Sequence, residues 1–268
     1  MQEVAIYRLN RDGQPQGGNP VFGTRVKILI YGDGFWHAYT QGDNTNLIAT
    51  DSMKNFIQSE AMNFEEYDLE SWCRFLADRF MSTYPQVQGA QVTASEIPYQ
   101  PLPEGSGAFT TGGPERAQAA IEITRAGIVE IRSGIEGFRL VRLNGNAFAG
   151  FVRDKYTTLP DFQNRPLHIS LDIEWTYSQS GAAFTGGRIT RRMREIVRTL
   201  FARLESGSIH QILYQIGERV LAEFSTIAEV HLEAGNRRWD AVAEQDESLG
   251  VYTDALPQYG CIGLTLKR

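Results

Sequence analysis

The sequence of 268 residues contains few of the residue types that mark several large classes of protein. Its two cysteines and four histidines form neither a disulfide framework nor a metal-ligand spacing, which argues against a secreted miniprotein and against a zinc site. No apolar run approaches the roughly 20 residues that span a bilayer, and the first residues lack the character of a signal peptide. We therefore expect a cytoplasmic protein with no metal site and no membrane partner.

The sequence is also short of positive charge, with a formal net charge of −6. Arginines nonetheless crowd one predicted helix, at positions Arg188, Arg191, Arg192, Arg194, Arg198 and Arg203. They fall on more than one helix face and no aromatic platform interleaves them, so a solvated, ion-paired surface is favoured over a nucleic-acid site. With 42% hydrophobic residues, the chain can bury a substantial core.

The pattern of apolar residues repeats once along the chain. Period-two alternation predicts strands and period-3.6 stripes predict helices, which gives two β-β-α-α-β-β units. The first unit has strands at 3–8, 23–31, 90–97 and 117–124 and helices at 52–63 and 68–84. Strands resume at 128–132, 138–143 and 147–152, and the second unit continues with strands at 167–175, 227–232 and 260–266 and helices at 189–204 and 208–224. This is an α+β fold class, with helices on one face of antiparallel sheets and domains at 1–133 and 134–268.

Two connections in the first unit carry turn signals. Glycines at 32 and 34 predict a tight hairpin, after which the aromatic-rich residues 35–39 return as a strand. Residues 98–114 are rich in Pro, Gly, Ser and Thr and predict a long exposed loop.

One informative segment covers residues 47–55 (LIATDSMKN). An apolar triplet stops at Thr50 and Asp51, and a helical pattern begins at Ser52. By local chemistry alone this is a strand-to-helix junction at which Thr50 or Asp51 caps the first backbone N–H groups of the helix.

A second informative segment covers residues 148–159 (FAGFVRDKYTTL) and is followed by Arg165. Taken singly, Phe148 is typical of a core aromatic on a strand, and Arg165 of an exposed arginine before Pro166. Taken together with the first segment and with Asp43 and Asn44, this order of residues resembles the signatures of the urate oxidase (uricase) family.

The resemblance implies a fold, an assembly and an activity. The fold would be a tandem T-fold, and four chains would assemble into a barrel-like homotetramer with active sites at the subunit interfaces. The activity would be a cofactor-independent oxidation in purine breakdown, in which O₂ hydroxylates urate to 5-hydroxyisourate and hydrogen peroxide is released. The alternative is a divergent T-fold protein that binds or converts another planar purine- or pterin-like heterocycle, with weak or no urate oxidase activity.

The resemblance also assigns roles to residues. Phe148 would stack on the purine face, Arg165 would clamp it at two points, and Ile209 and His210 would contact it from the opposite side. Thr50, from the neighbouring subunit, would serve the proton relay and the dioxygen position.

Two further positions follow from the same resemblance. Asp51 would present its backbone to the purine, and Asn236 would hold the peroxo group or a water molecule.

Three positions depart from the family pattern. Met1 takes the place of the lysine that abstracts protons together with the threonine. His210 takes the place of a glutamine, although Gln211 is the equivalent if the register shifts by one residue. Arg238 takes the place of a histidine near the proton relay, where it cannot act as a base but can bind an anion.

Overall fold

The computed structural model describes residues 3–11, 20–103, 107–246, 249–257 and 260–268. Met1, and with it the position of the expected lysine, lies outside these ranges. The chain divides into two compact units. The first unit comprises Met1–Gly134 and Thr176–Thr190, and the second comprises Ile135–Trp175 and Arg191–Arg268. The predicted domain boundary between residues 133 and 134 stays a prediction.

The first unit is an antiparallel sheet with helices packed on it. Its strands neighbour one another in the order β1 (Val4–Leu9), β2 (Val21–Tyr31), β3 (Gly89–Glu96), β6 (Arg116–Thr124) and β7 (Gly127–Arg142). The helices are α1 (Trp36–Gln41), α2 (Thr50–Glu60) and α3 (Leu69–Thr83). A small antiparallel pair, β4 (Tyr99–Pro101) and β5 (Phe109–Thr111), is inserted between β3 and β6.

The core of the first unit lies between α3 and strands β3 and β6. Alternation along β2 buries Val26 and Ile28, while the 3.6-residue period of α3 buries Trp72, Leu76 and Phe80 on one stripe. The Asp68 carboxylate begins α3 by accepting a hydrogen bond from the Ser71 backbone N–H at 2.9 Å. The sheet thus receives one continuous apolar face from this helix.

The second unit repeats the arrangement. Its strands neighbour one another in the order β7, β8 (Leu167–Tyr177), β9 (Ile227–Asn236) and β12 (Cys261–Lys267), and its helices are α4 (Arg188–Arg203) and α5 (Ile209–Glu223). A second small antiparallel pair, β10 (Ala241–Asp246) and β11 (Leu249–Tyr252), is inserted between β9 and β12. Helix α5 packs on β9 and β12, as α3 packs on β3 and β6. The predicted β-β-α-α-β-β pattern is therefore present in both units.

Several local predictions were wrong. Residues 35–39 do not return as a strand, because a 3₁₀ turn (Asp33–Phe35) leads into α1, which ends at Gly42 with a left-handed φ of 69°. Residues 47–49 and 147–152 do not form strands. The 98–114 loop contains the β4–β5 pair, while 104–106 lie outside the described residues.

The described residues lack two kinds of feature. No helix there is long and apolar enough to cross a membrane. Nor does that part of the chain bring three or more His, Cys, Asp or Glu side chains together as a group that could hold a metal ion.

Candidate functional site

The Phe148 segment pairs with the segment that leads to Arg165. Phe148 N donates to Phe162 O at 2.8 Å and Phe162 N donates to Phe148 O at 2.9 Å, which forms one antiparallel bridge. The guanidinium carbon of Arg165 lies 5.7 Å from the Phe148 ring centroid and 5.4 Å from the Phe162 centroid. The structure therefore brings the predicted stacking ring and the predicted clamp together, and it adds Phe162, which sequence reasoning missed.

The Arg165 side chain is poised to receive a partner. Its Nε atom is buried and has no hydrogen-bond partner among the described residues. Burial lowers the pKa of the guanidinium from its usual value, but arginine remains charged at any physiological pH. A desolvated planar fork beside an aromatic face suits a flat, anionic ligand that can accept two parallel hydrogen bonds.

Other polar residues of the 148–159 segment hold their own loop. The Asp154 carboxylate accepts from the Tyr156 backbone N–H at 2.9 Å and from the Thr157 hydroxyl at 3.0 Å. Arg153 forms an ion pair with Asp161 at 3.0 Å. Hydrogen bonds to Asp154 lower the pKa of its carboxyl group, the largest cause being the Tyr156 N–H. These residues shape the loop that carries Phe148.

The start of α5 presents His210. Ser208 caps the helix by accepting from the Gln211 backbone N–H at 3.3 Å, and the Gln211 side-chain oxygen accepts from the Gly207 N–H at 2.8 Å. Both the backbone N–H and the side-chain oxygen of Gln211 are therefore used to hold the start of the helix. His210 is exposed, whereas Ile209 is buried. Of the two alternatives left open by the sequence, the geometry favours His210 as the residue that faces a ligand.

Thr50 and Asp51 lie in the first unit, at the start of α2. The capping interpretation of this junction was wrong, because the N-cap is Ala49 and no side chain caps the helix. Both oxygens of the Asp51 carboxylate are held by its own helix, by Lys54 at 2.6 Å and by Asn55 at 3.0 Å. The hydrogen bond from Lys54 is the largest cause that lowers the pKa of Asp51.

With the Asp51 carboxylate engaged, the backbone N–H groups at the start of α2 are the groups that can bind a ligand there. The first N–H groups of a helix have no partner within it, and the positive end of the helix dipole lies there. Thr50 is exposed, and the first intrahelical bond runs from Met53 N to Ala49 O at 3.1 Å. The helix start can therefore offer N–H donors and one hydroxyl to an anion or to dioxygen.

Asn236 and Arg238 lie at the end of β9 in the second unit. Asn236 is the last residue of the strand and is half-buried. Arg238 forms an ion pair with the Asp240 carboxylate at 2.7 Å, so its positive charge is paired within the chain. Of the predicted residues, Phe148 and Arg165 are in direct contact. His210, Asn236 and Arg238 lie at the ends of elements in the same unit.

Known proteins that are similar to this chain come from one family. The family model described as Uricase matches residues 34–122 and 131–259. The uricase of Haloferax volcanii is 36% identical, with 84% of this chain and 79% of that protein covered. The uric acid degradation bifunctional protein PucL of Bacillus subtilis is 35% identical over 93% of this chain, and the chain spans only 54% of that longer protein.

Solved structures agree with the sequence relatives. A hyperthermostable mutant of the urate oxidase of Bacillus sp. TB-90 matches with a TM-score of 0.90 at 31% identity, with 100% of this chain and 97% of that chain covered. A uricase from Bacillus fastidious matches with a TM-score of 0.88 at 29% identity, with 99% and 91% covered. The predicted tandem T-fold and the predicted family resemblance are thereby confirmed. The chain belongs to the uricase family.

Proposed function

We propose that this chain oxidises urate without a cofactor. In this reaction urate loses two electrons to dioxygen and gains a hydroxyl group from water, so that 5-hydroxyisourate forms and dioxygen leaves as hydrogen peroxide. The names of the sequence relatives, which include uricases and uric acid degradation proteins, support this assignment.

The observation that carries the proposal is the setting of Arg165. A buried guanidinium nitrogen without a protein partner, next to the rings of Phe148 and Phe162, matches a flat ring that carries a carbonyl oxygen and a ring nitrogen on one edge. Phe148 would cover the face of the ring, and Arg165 would donate to its edge. His210 would take the opposite edge, where neutral imidazole offers one donor and one acceptor.

Residues outside this clamp would transfer protons and bind dioxygen. Thr50 would carry its hydroxyl to the ring from another chain, and the N–H groups at the start of α2 would stabilise the anion. Asn236 would hold the water or peroxo group. Arg238 cannot replace a histidine as a base, and its ion pair with Asp240 supports a role in the local charge balance.

We also propose the homotetramer, with each site built by two chains. Thr50 and Asp51 lie in the first unit, and Phe148 and Arg165 lie in the second. A site shared between two chains would take Thr50 and Asp51 from one chain and Phe148 and Arg165 from the other. In the described chain, β1 neighbours only β2 and β12 neighbours only β9, which leaves one open sheet edge in each unit. Pairing of such edges between copies is a common way to remove them. A cytoplasmic location remains a prediction.

The direct test follows urate and peroxide together. We expect the urate absorbance of the purified protein's reaction to fall, with one peroxide formed per urate consumed. The position of the expected lysine is tested in the same assay by Met1→Lys behind an added initiator methionine. If a base is lacking, this variant should raise kcat by roughly 10²–10⁴-fold. Absence of urate consumption by both proteins would reject the proposed activity.

The shared site is tested by mixing variants. Thr50→Ala and Arg165→Ala should each be inactive alone, and co-expression should restore activity because some sites receive Thr50 from one chain and Arg165 from the other. The matched control is co-expression of Phe148→Ala with Arg165→Ala, which alter the same unit and should not complement. Equal activities of the two mixtures would contradict a site between chains.

The substitution of His210 for glutamine and the ion pair of Arg238 favour one second candidate: a protein that binds another planar heterocycle and oxidises urate weakly or not at all. It predicts a rise in melting temperature with a purine or pterin and no oxygen uptake. Oxygen uptake with urate at the rate of peroxide formation would decide against it.

A further inference from the structure

Asn146 is a buried polar residue that no part of the proposed chemistry uses. Its side chain is 2% exposed, although asparagine is seldom fully buried. The Nδ2 group donates to the Asn144 carbonyl at 2.9 Å and to the Arg165 carbonyl at 3.3 Å. A buried amide that makes two hydrogen bonds to the main chain fixes the backbone on both sides of it.

The backbone of Asn146 strengthens the link to Arg165. Arg165 N donates to Asn146 O at 3.0 Å, so backbone and side chain together hold the residue that carries the clamp. Next to this contact, Asn164 accepts from Gly145 N at 2.8 Å through its side-chain oxygen. Gly145 has a φ of 74°, a conformation that glycine adopts without strain.

The same segment also pairs with the approach to α5. Ala147 N donates to Ser206 O at 2.8 Å, and Ser206 N donates to Gly145 O at 3.1 Å, which places Asn146 opposite Ser206 in a parallel bridge. Ser206 lies just before the cap that begins α5, the helix that carries His210. Phe148 follows Asn146 by two residues along the chain.

Three separate stretches of chain therefore meet at Asn146. The stretch with Arg165 is held by its side chain and its backbone, and the approach to α5 by the backbones of its two neighbours. The three stretches carry Phe148, Arg165 and His210, which are the stacking ring, the clamp and the opposite edge of the proposed site. We infer that Asn146 is a positioning residue that sets the mutual placement of these three groups; the inference rests on the proposed function. It does not touch the ligand and acts through the backbone of its neighbours.

The decisive variant is Asn146→Asp, which keeps the shape of the side chain and replaces the Nδ2 donor with an oxygen. Two carbonyls would then face a carboxylate, and the side-chain hydrogen bond to the Arg165 carbonyl would be replaced by repulsion, while the backbone hydrogen bond from Arg165 N to Asn146 O stays. We expect kcat/KM for urate to fall on the order of 10²-fold, with KM raised and kcat lowered together, because a misplaced clamp harms both binding and alignment. Asn146→Ala should fall by a similar factor.

The matched control is Ser133→Ala in the first unit. Ser133 is also 2% exposed and uses its hydroxyl in two buried hydrogen bonds, to Glu70 at 2.6 Å and from Tyr177 at 2.9 Å. It should lower the melting temperature about as much as Asn146→Ala while KM stays within about twofold. Equal KM changes in the two variants, or full activity of Asn146→Asp, would overturn the positioning role.

Crystal structures of the wild type and of Asn146→Asp separate this inference from the proposed function. If the wild type does not oxidise urate, the proposed function fails, and the crystal structures alone then decide the positioning role. Arg165 displaced from the Phe148 ring by about 1 Å or more would support it. An unchanged separation near 5.7 Å would overturn it. Should Asn146→Ala fail to fold, Asn146→Ser provides the smaller change in the same assays.

Discussion

The two units begin their second long helix in the same way and then differ at its second residue. In the first unit Asp68 caps α3 and Glu70 is buried, whereas in the second Ser208 caps α5 and His210 is exposed. Each cap accepts from the backbone N–H three residues later. The two units therefore share the capped helix start, but the second residue of the helix is buried in the first unit and exposed in the second.

The sealed start in the first unit has consequences for charge. Ser133 donates to Glu70 at 2.6 Å and accepts from Tyr177 at 2.9 Å. Burial raises the pKa of Glu70 to about 7 and also raises the pKa of Asp68 nearby. In the second unit the corresponding position is open and faces solvent or ligand. Among the described residues, the helix start of the first unit therefore buries a carboxyl group where that of the second exposes an imidazole.

The largest expected effect distinguishes the ring-bound arginines of the two units. In the first unit Arg8 lies 4.4 Å from the Tyr67 ring centroid and donates to the Glu66 carbonyl, so its contacts are internal. We expect Arg165→Ala to lower kcat/KM by roughly 10²–10³-fold, as loss of one preorganised donor does. Arg8→Ala should cost about 1–2 kcal/mol of stability and leave KM unchanged.

Steady-state kinetics and urea unfolding of both variants are the measurements for this pair. Loss of activity in Arg8→Ala without loss of stability would contradict this difference between the two arginines, because it would show that Arg8 also contributes to ligand binding.

The next effect is the pH dependence of stability set by Glu70. Between the ordinary pKa of glutamic acid and about 7, the folded protein holds a proton that the unfolded chain releases, so stability falls as pH rises across this interval and levels off above it. Glu70→Gln should remove this fall and be more stable than the wild type above pH 7, by on the order of 3 kcal/mol.

Melting temperatures of both proteins between pH 5 and pH 8.5 check this prediction. His210→Gln, the matching change at the exposed position, is the control and should shift the melting temperature little. A difference between Glu70→Gln and the wild type that is the same at every pH would show that Glu70 does not hold the proton.

A smaller effect concerns an arginine that each unit uses in the same manner. After β6, Arg125 donates to the carbonyls of Tyr84, Pro85 and Val87 at the end of α3. After β12, Arg268 donates to the carbonyls of Leu221 and Phe224 at the end of α5 and of Ile227 at the start of β9. Each side chain thus ties the end of its unit's last helix to the connection that follows that helix.

Arg125→Ala and Arg268→Ala should each cost about 1–3 kcal/mol in urea unfolding, because each removes three hydrogen bonds from a charged donor to backbone carbonyls. The control is Arg132→Ala, an arginine whose side chain is 40% exposed and pairs with Glu130 at 3.3 Å, which should change stability by less than about 0.5 kcal/mol. Values that differ strongly between Arg125 and Arg268 would contradict a common role in the two units.

The smallest effect separates two adjacent residues of α5. Gln211→Ala removes the side chain that accepts from Gly207 and should cost about 0.5–1 kcal/mol of stability with KM unchanged. His210→Ala should raise KM by up to about tenfold, the value of one hydrogen bond, with stability unchanged. The opposite pattern would identify Gln211 as the ligand contact and end the preference for His210.

The sequence predicted the elements with strong periodicity. The alternating Leu167, Ile169, Leu171, Ile173 and Trp175 are all buried on β8, and the apolar stripe of α3 lies against the sheet. Such patterns suffice because burial of one face decides the conformation of a long segment. The pairing of Phe148 with Arg165 was also predictable, but only through the resemblance, since neither residue is distinctive by itself.

The failures share a physical cause. Residues 35–39 and 47–49 are short, and their conformation depends on neighbours distant in sequence rather than on their own period. Asn146 and Phe162 could not be identified because their importance lies in which segments they join. The capping of α2 was misjudged because Asp51 binds Lys54 and Asn55 within its own helix.

Each unit carries an added two-stranded antiparallel pair, β4–β5 between β3 and β6 in the first unit and β10–β11 between β9 and β12 in the second. Lengthening a surface connection costs little closure entropy, so these joints accept extra sequence while the core is undisturbed. A reporter peptide or an affinity handle is therefore best introduced at one of these joints. The joint before β6 is preferable, since it belongs to the unit that lacks Phe148 and Arg165.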